Sequence, residues 1–400
     1  MAFPRIKLGE IVNVKGGKRL PKGNDFIDQV TEHPYVRARD IRNGKITFND
    51  PVYISPETHS KIARYIANSG DVCITIVGAN VGDVGQVPEF LNGANLTENA
   101  VKLLGKAEDY ISGYIKYALL TNDAQKQMKN FAAGAAQPKL GIYKINEVEV
   151  PYPEYETRKN IDLILDRYDR LIENNNRRIA ILEDMAQSLY QEWFVKFRFP
   201  GHQNIKFKES SLGLIPEGWG VRSLRDVCNL TMGQSPKSEF YNEEGYGIPF
   251  FQGVRDYGVR FPVERIWCTR PTRYAKKSDI LFSVRAPVGR LNIAGFDLSI
   301  GRGLCAINHK DGFQSFLFQQ LKSIFTSEDM MGNGAIFNSV TKSDMEGVKL
   351  LSPSEKITKL SENKLGTIFR NLDLLSLKNI NLKNQRDLLL PKLISGSINI

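Results

Sequence analysis

Short patterns in the first half of this 400-residue chain return in the second half in the same order, and an internal duplication constrains the fold more than any composition does. Leu8-Gly9-Glu10-Ile11-Val12-Asn13 is echoed by Leu224-Arg225-Asp226-Val227-Cys228-Asn229. Each copy runs into a polar Gly/Pro loop, Gly17-Lys18-Arg19-Leu20-Pro21-Lys22 and Gly233-Gln234-Ser235-Pro236-Lys237. Tyr35 to Ile41 is followed by Gly70-Asp71-Val72-Cys73-Ile74 and Val81-Gly82; Pro249 to Asp256 is followed by Ser278-Asp279-Ile280-Leu281-Phe282 and Val288-Gly289. Gly134-Ala135 before Val150-Pro151 has its counterpart in Gly334-Ala335 before Leu351-Ser352-Pro353. Each match is short; their constant order argues against chance.

Each half closes on a segment of another kind. Residues 155–194 and 355–393 contain no glycine except Gly366 and show the 3-4 apolar spacing of helices. At an offset of 204, Ile161, Ile164, Tyr168, Leu171, Asn175, Met185 and Leu189 match Leu365, Ile368, Leu372, Leu375, Asn379, Leu389 and Leu393. These positions read as a heptad seam, with a slip at Ile179 in the first copy. An asparagine at the same station of both seams is a device that fixes helix register at some cost in stability. The paired seams predict two helices packed on each other, each about 57–60 Å long at 1.5 Å per residue. Pro391 is expected to end or kink the second helix, and the poor helix-forming stretch Asn174-Asn175-Asn176-Arg177-Arg178 predicts a local defect in the first.

The order is globular unit, long helix, globular unit, long helix, with segments at 1–154, 155–199, 200–354 and 355–400. Phe199-Pro200-Gly201-His202 closes the first half as a turn-rich linker. Each globular unit mixes strand-like runs (Cys73 to Val77; Asp279 to Val284) with a helical patch (Asp109 to Asn122; Phe313 to Phe325). The predicted class is mixed α+β: two globular α/β units separated by two long antiparallel helices in a coiled-coil spacer, a pseudo-two-fold internal repeat.

The chain carries 54 Lys and Arg against 44 Asp and Glu, a net of +10. The excess is local: eight basic against four acidic residues from Lys15 to Lys45, and ten against four from Arg255 to Arg302. Such clusters are the footprint expected of a phosphate-tracking surface. No apolar run approaches the roughly 20 residues of a membrane span, and the amino terminus lacks the apolar stretch of a secretory signal. Four scattered cysteines without a CxxC pair argue against zinc or disulfides and for a reducing, cytoplasmic setting.

Catalytic signatures are missing. Gly17-Lys18 is followed by Arg19 and lacks the glycine spacing of a phosphate-binding P-loop, and no GxGxxG occurs. Asp50-Pro51-Val52-Tyr53 only approaches the Asp-Pro-Pro-Tyr of adenine methyltransferases and reads as a turn before a strand. His33, His59, His202 and His309 show no paired-ligand spacing. No metal site and no catalytic residue is assigned; the residues point to recognition.

Leu214-Ile215-Pro216-Glu217-Gly218-Trp219 running into Leu224 resembles the opening of the second recognition domain in type I restriction–modification specificity subunits. Ile172 to Ile179 with Leu189-Tyr190-Gln191-Glu192-Trp193-Phe194 is similar to that family's central conserved helix. Leu377 to Gly396, with Asn384-Gln385-Arg386-Asp387-Leu388-Leu389-Leu390-Pro391-Lys392-Leu393, is similar to its carboxy-terminal helix. The resemblance implies that each globular unit is a target-recognition domain reading one half of a split double-stranded DNA target. It implies that the helices act as ruler and docking surface for two adenine-methylating subunits. S-adenosylmethionine would then belong to those subunits, ATP and Mg to motor–nuclease subunits, and no cofactor to this chain. A spacer also suits two half-sites read about 34–36 Å apart, one helical turn of DNA, or a multiple of it. Because the two units differ in sequence, the target is expected to be asymmetric. Competing readings are an autonomous DNA-modifying enzyme, the specificity subunit of a methyltransferase-only system, and a two-lobed protein scaffold.

Candidate DNA contacts in the first unit are Lys18, Arg19 and Lys22 on the Gly/Pro loop, Arg37, Arg39 and Arg42 after a short strand, and Gln137 and Lys139. In the second they are Gln234, Ser235 and Lys237, then Gln252 and Arg255, then Arg285 and Asn338. Arg suits a guanine edge and Gln an adenine edge, while Lys mostly neutralises phosphate.

Overall fold

The computed structural model describes residues 3–133, 138–325 and 339–398. The chain forms two compact units, Met1–Glu173 with Asn381–Ile400, and Asn174–Ile380. Each unit thus contains a globular domain and part of both long helices.

In the first unit the main sheet has six strands in the order Val12–Gly16, Ala100–Gly105, Val72–Thr75, Val84–Gln86, Gly44–Ile46, Ile41–Arg42. Its central strand Val72–Thr75 is buried throughout, as an apolar run covered on both faces must be. Asn43 and Gly44, both with positive φ, turn the last hairpin. A small sheet pairs Tyr35–Val36 parallel to Ala94–Leu96 and Ile66–Ala67 antiparallel to it.

The second unit repeats this plan. Cys228–Met232, Leu304–His309, Ile280–Ser283 and Leu291–Ile293 form a four-stranded antiparallel sheet in the order of the first four strands above. Ile248–Phe251 lies parallel to Leu298–Ile300, and Tyr274–Ala275 antiparallel to it. Edge pairs close both domains: Arg5–Lys7 with Glu149–Pro151, and Gly220–Ser223 with Lys349–Ser352. Equivalent amides make equivalent bonds, Leu8 to the Val148 carbonyl at 2.9 Å and Leu224 to the Val348 carbonyl at 2.8 Å.

The first long helix runs Tyr155–Tyr190, 36 residues, and continues into a π-turn Gln191–Val195. The second runs Glu355–Ser395, 41 residues. Asn174 to Arg178 stays helical, so the expected defect is absent. The second helix continues through Pro391 for one further turn, so the proline does not end it.

In each unit the two helix segments run antiparallel and pack together. In the first, Ile161, Leu165, Leu393 and Ile394 share a core with Tyr114 and Ile115 of the domain helix Ser112–Leu120. In the second, Ile179, Ala186, Leu365, Leu372 and Leu375 join Trp193, Phe194, Trp219 and Phe316. Asn175 Nδ2 donates to Asn379 Oδ1 at 2.9 Å, and Asn379 Nδ2 donates to Asn176 Oδ1 at 2.8 Å. The seam asparagines therefore meet each other, both buried.

Part of the predicted seam is corrected. Leu171 and Met185 are 51% and 52% exposed, whereas Ile172 and Ala186 are buried. Ile164 is only partly buried beside the fully buried Leu165. Ile161, Tyr168, Asn175 and Leu189 keep one heptad series, but the interleaved series is Leu165, Ile172, Ile179, Ala186. The steps run four then three rather than the expected three then four, and Ile179 is in register rather than slipped. In the second helix Leu365, Leu372, Leu375, Asn379 and Leu393 are buried, and Ile368 and Leu389 partly so.

The domain helices pack on the long ones, most tightly in the first unit. A Cβ on Gly113 would lie 2.1 Å from Oδ1 of Asp162, on the first long helix. In the second unit Gly366 of the long helix faces the domain helix without such crowding, since a Cβ there would make only ordinary contact with Ser315 Oγ at 3.8 Å. Glu362 accepts from the Ser315 and Phe316 amides at 3.1 and 2.8 Å, closing the start of the helix Gln314–Phe325.

Candidate nucleic-acid interface

Both Gly/Pro loops leave the sheet in the same way. The amides of Gly17 and Lys18 donate to the Ala100 and Leu96 carbonyls at 3.0 and 2.8 Å. Those of Gly233 and Gln234 donate to the Leu304 and Ile300 carbonyls at 2.9 and 3.0 Å. A Cβ on Gly17 or Gly233 would stand 2.1 Å from a backbone carbonyl oxygen, so both positions require glycine. The loops are thereby pinned beside the small sheet of their own domain.

In the second unit this gathers most of the predicted residues. Ser235 Oγ accepts from the Arg302 amide at 3.2 Å, and the Gln234 carbonyl accepts from Thr272 at 3.0 Å. The Gln252 carbonyl accepts from Gly303 at 3.1 Å, and the Gly303 carbonyl accepts from Val284, which precedes Arg285. Arg285 in turn bridges to Ser339. Gln234, Lys237, Gln252, Arg255 and Arg285 are exposed. Arg273 and Arg302 are exposed in the same neighbourhood and are not among the candidates read from the sequence, although Arg302 stands between two glycines within the second basic cluster. Among the described residues Arg255, Arg273, Arg285 and Arg302 make no ion pair. Asn338 lies outside the described residues.

The first unit places its cations differently. Lys18 reaches the Tyr65 ring, 5.7 Å from its centroid, and Arg19 pairs with Glu98 at 2.7 Å. Arg37 is committed to the protein: its side chain is 15% exposed and bonds Asp40 at 3.1 Å, with further bonds to Asp50. Asp50 also pairs with Arg39. Asp50-Pro51-Val52-Tyr53 starts at a bend and forms neither the expected turn nor a regular strand; Tyr53 bridges Ile27 and Pro34, and the Asp50 carboxylate holds two of the cations assigned to DNA. Arg42 stands 4.0 Å from Asp83, whose carboxyl is raised by burial against the pull of Arg42. Lys22 and Lys139 are exposed, and Lys139 bridges Val77 as Ser339 bridges Arg285. Gln137 lies outside the described residues.

Two histidines that sequence spacing separated meet here. The His33 and His59 rings stack with centroids 4.0 Å apart, and His59 Nδ1 lies 2.7 Å from Asn95 Oδ1. Burial, helped by His59, lowers the His33 pKa. All four cysteines are unpaired and buried, and burial pushes the thiols of Cys228 and Cys305 up to about 12. No group of metal-ligating side chains occurs among the described residues, nor any helix long and apolar enough to cross a membrane.

Two copies of one frame, each presenting a different polar surface at the same corner, define a two-module recognition protein. A family profile described as the type I restriction modification DNA specificity domain matches residues 3–184 and again 216–385. A putative type I restriction enzyme MjaX specificity subunit of Methanocaldococcus jannaschii is 31% identical over 92% of this chain and 88% of its own length. The HindI specificity subunit of Haemophilus influenzae is 22% identical over 84% and 88%. The S subunit of a type I restriction–modification system from M. genitalium has the same fold, with a TM-score of 0.63 at 16% identity over 98% of this chain and 96% of that one. The chain belongs to the type I restriction–modification specificity subunits, which recognise DNA and are not themselves catalytic.

Proposed function

We propose that each recognition domain reads one half of a bipartite, asymmetric DNA target, and that the paired long helices set the gap and seat two adenine-methylating subunits. One observation carries this reading: equivalent loops, fixed by equivalent hydrogen bonds at Gly17 and Gly233, carry Lys18-Arg19 in one copy and Gln234-Ser235 in the other. A shared scaffold with dissimilar readers recognises two different sequences. Base reading falls to Arg285, Gln252 and Gln234 with Arg302, and to Arg19, Arg39 and Arg42 in the first domain. Lys18, Lys22, Lys139, Lys237, Ser235 and Arg255 act mainly on the backbone. Arg37 supports the fold instead. The seating role is supported by large apolar side chains left exposed on the long helices, among them Leu171, Ile181 and Met185 on one and Leu374, Leu377 and Leu388 on the other.

The test is domain exchange. Expressed with its methyltransferase subunit, the chain is expected to direct adenine methylation to one two-part sequence. Replacing residues 200–354 with the corresponding part of a relative should change one half of that sequence and leave the other. Methylation without sequence preference, or a change in both halves, overturns the reading.

A further inference from the structure

Each unit contains a feature that binding DNA does not require. Asp169, on the first long helix, accepts from the Tyr117 hydroxyl at 2.7 Å and lies 3.7 Å from the Lys116 ammonium, both on the domain helix Ser112–Leu120. Its other oxygen pairs with Arg386 of the second long helix at 2.6 Å. One carboxylate thus joins the recognition domain to both helix segments of its unit. The Lys116 and Asp169 side chains are 6% and 14% exposed. Burial alone would raise the Asp169 carboxyl, but Tyr117, Lys116 and Arg386 together hold it below the ordinary carboxylate range.

In the second unit Asp373, on the second long helix, pairs at 2.6 Å with Arg260; the Arg260 side chain is 5% exposed and that of Asp373 38%. The Arg260 guanidinium also lies 4.6 Å from the centre of the Phe369 ring, one turn away on the same helix. Asp373 stands 204 positions after Asp169, the offset that matches one seam to the other. The cations, however, come from unrelated places. Lys116 belongs to a domain helix whose counterpart, Gln314–Phe325, buries the uncharged Gln319 and Gln320. Arg260 lies in the segment between the strands Ile248–Phe251 and Trp267–Cys268. The anchor is at one station of the repeated helix, and each domain reaches it with its own cation.

We infer that Asp169 and Asp373 are positioning residues that clamp each recognition domain at a fixed angle on its helices and so set which half-site spacing the complex accepts. Apolar packing is non-directional, and an ion pair with its cation buried adds little net stability but does impose a geometry. The inference rests on the proposed function, because spacing has meaning only if two half-sites are read.

The experiment uses the full chain assembled with its methyltransferase subunit, and duplexes carrying the native gap or a gap one base pair longer or shorter. Arg260→Met with Asp373→Leu replaces the pair by apolar groups of similar volume, a change that commonly preserves stability. A displacement of 1 Å at a reacting centre can cost about 10²-fold in rate, so the variant's preference for the native gap is expected to fall by about tenfold or more, with melting unchanged. Tyr117→Phe removes a single hydroxyl from the first clamp and is expected to relax the preference more mildly; Asp169→Glu should retain most of it. Wild-type discrimination in a stable double variant overturns the inference. Should the double variant not fold, an unaltered gap preference in Tyr117→Phe overturns it instead. Failure of the wild-type complex to select any two-part target would count against the proposed function itself.

Discussion

The two recognition domains share a frame and differ in what they do with their cations. In the first domain Arg19, Arg37, Arg39 and Arg42 all face carboxylates, namely Glu98, Asp40, Asp50 and Asp83. In the second, Arg255, Arg273, Arg285 and Arg302 stand exposed with no ion pair among the described residues. A basic cluster in sequence therefore means two different things here. In one domain much of the charge is spent on holding a loop, and in the other it is available to an external anion. The second domain should supply the larger share of phosphate attraction and of salt sensitivity.

The sharpest way to break this contrast is to remove one arginine from each domain. Arg37→Met leaves the buried Asp40 carboxylate without its partner, and is expected to lower stability by about 3 kcal/mol, as breaking a buried pair does. Thermal or denaturant melting would show it, and a melt like wild type would return Arg37 to the DNA-contact group. Arg285→Ala should leave melting alone and weaken cognate DNA binding by about 1–3 kcal/mol, concentrated at one base position if it reads a base. Affinity measured across a salt series decides, since equal binding at every salt concentration removes Arg285 from the interface. The smallest overall effect is expected on the helices of the second unit. Replacing both Asn175 and Asn379 with Leu removes both ends of the Asn175–Asn379 bond and leaves the exposed Asn176 amide to water, so it should shift stability by less than about 1 kcal/mol, in either direction. Selection of half-site spacing should nevertheless degrade, because register is no longer specified. A double variant that melts far below wild type would show that the amide pair is structural first.

Much of this was legible in the sequence because duplication is a long-range signal that survives local ambiguity. The offset of 204 located Asn175 against Asn379, and the structure joins those two side chains directly. The interleaved seam was misread because a heptad can be stepped as three-four or four-three, and Leu171 and Met185 are as apolar as the Ile172 and Ala186 that are buried. Strand order was not legible, since Val12–Gly16 pairs with Ala100–Gly105 across more than eighty residues. The structural partners of Arg37 were half visible: Asp40 stands three residues on, but Asp50 reaches Arg37 only across an intervening hairpin. The offset also related Asp169 to Asp373, yet their cations share no spacing at all, so only the folded chain reveals the clamps.

The second unit occupies one uninterrupted stretch, 174–380, whereas the first is assembled from residues on either side of it. Leu393 and Ile394 belong to the first unit's core, and Leu389 and Leu390 pack against it. During synthesis the half that begins first must therefore finish last. Until the closing turns of the second helix emerge, the earlier half stands with a bare apolar flank, while the later half already has every residue it needs. A premature stop just after Ile380 would accordingly injure the portion encoded farthest from it.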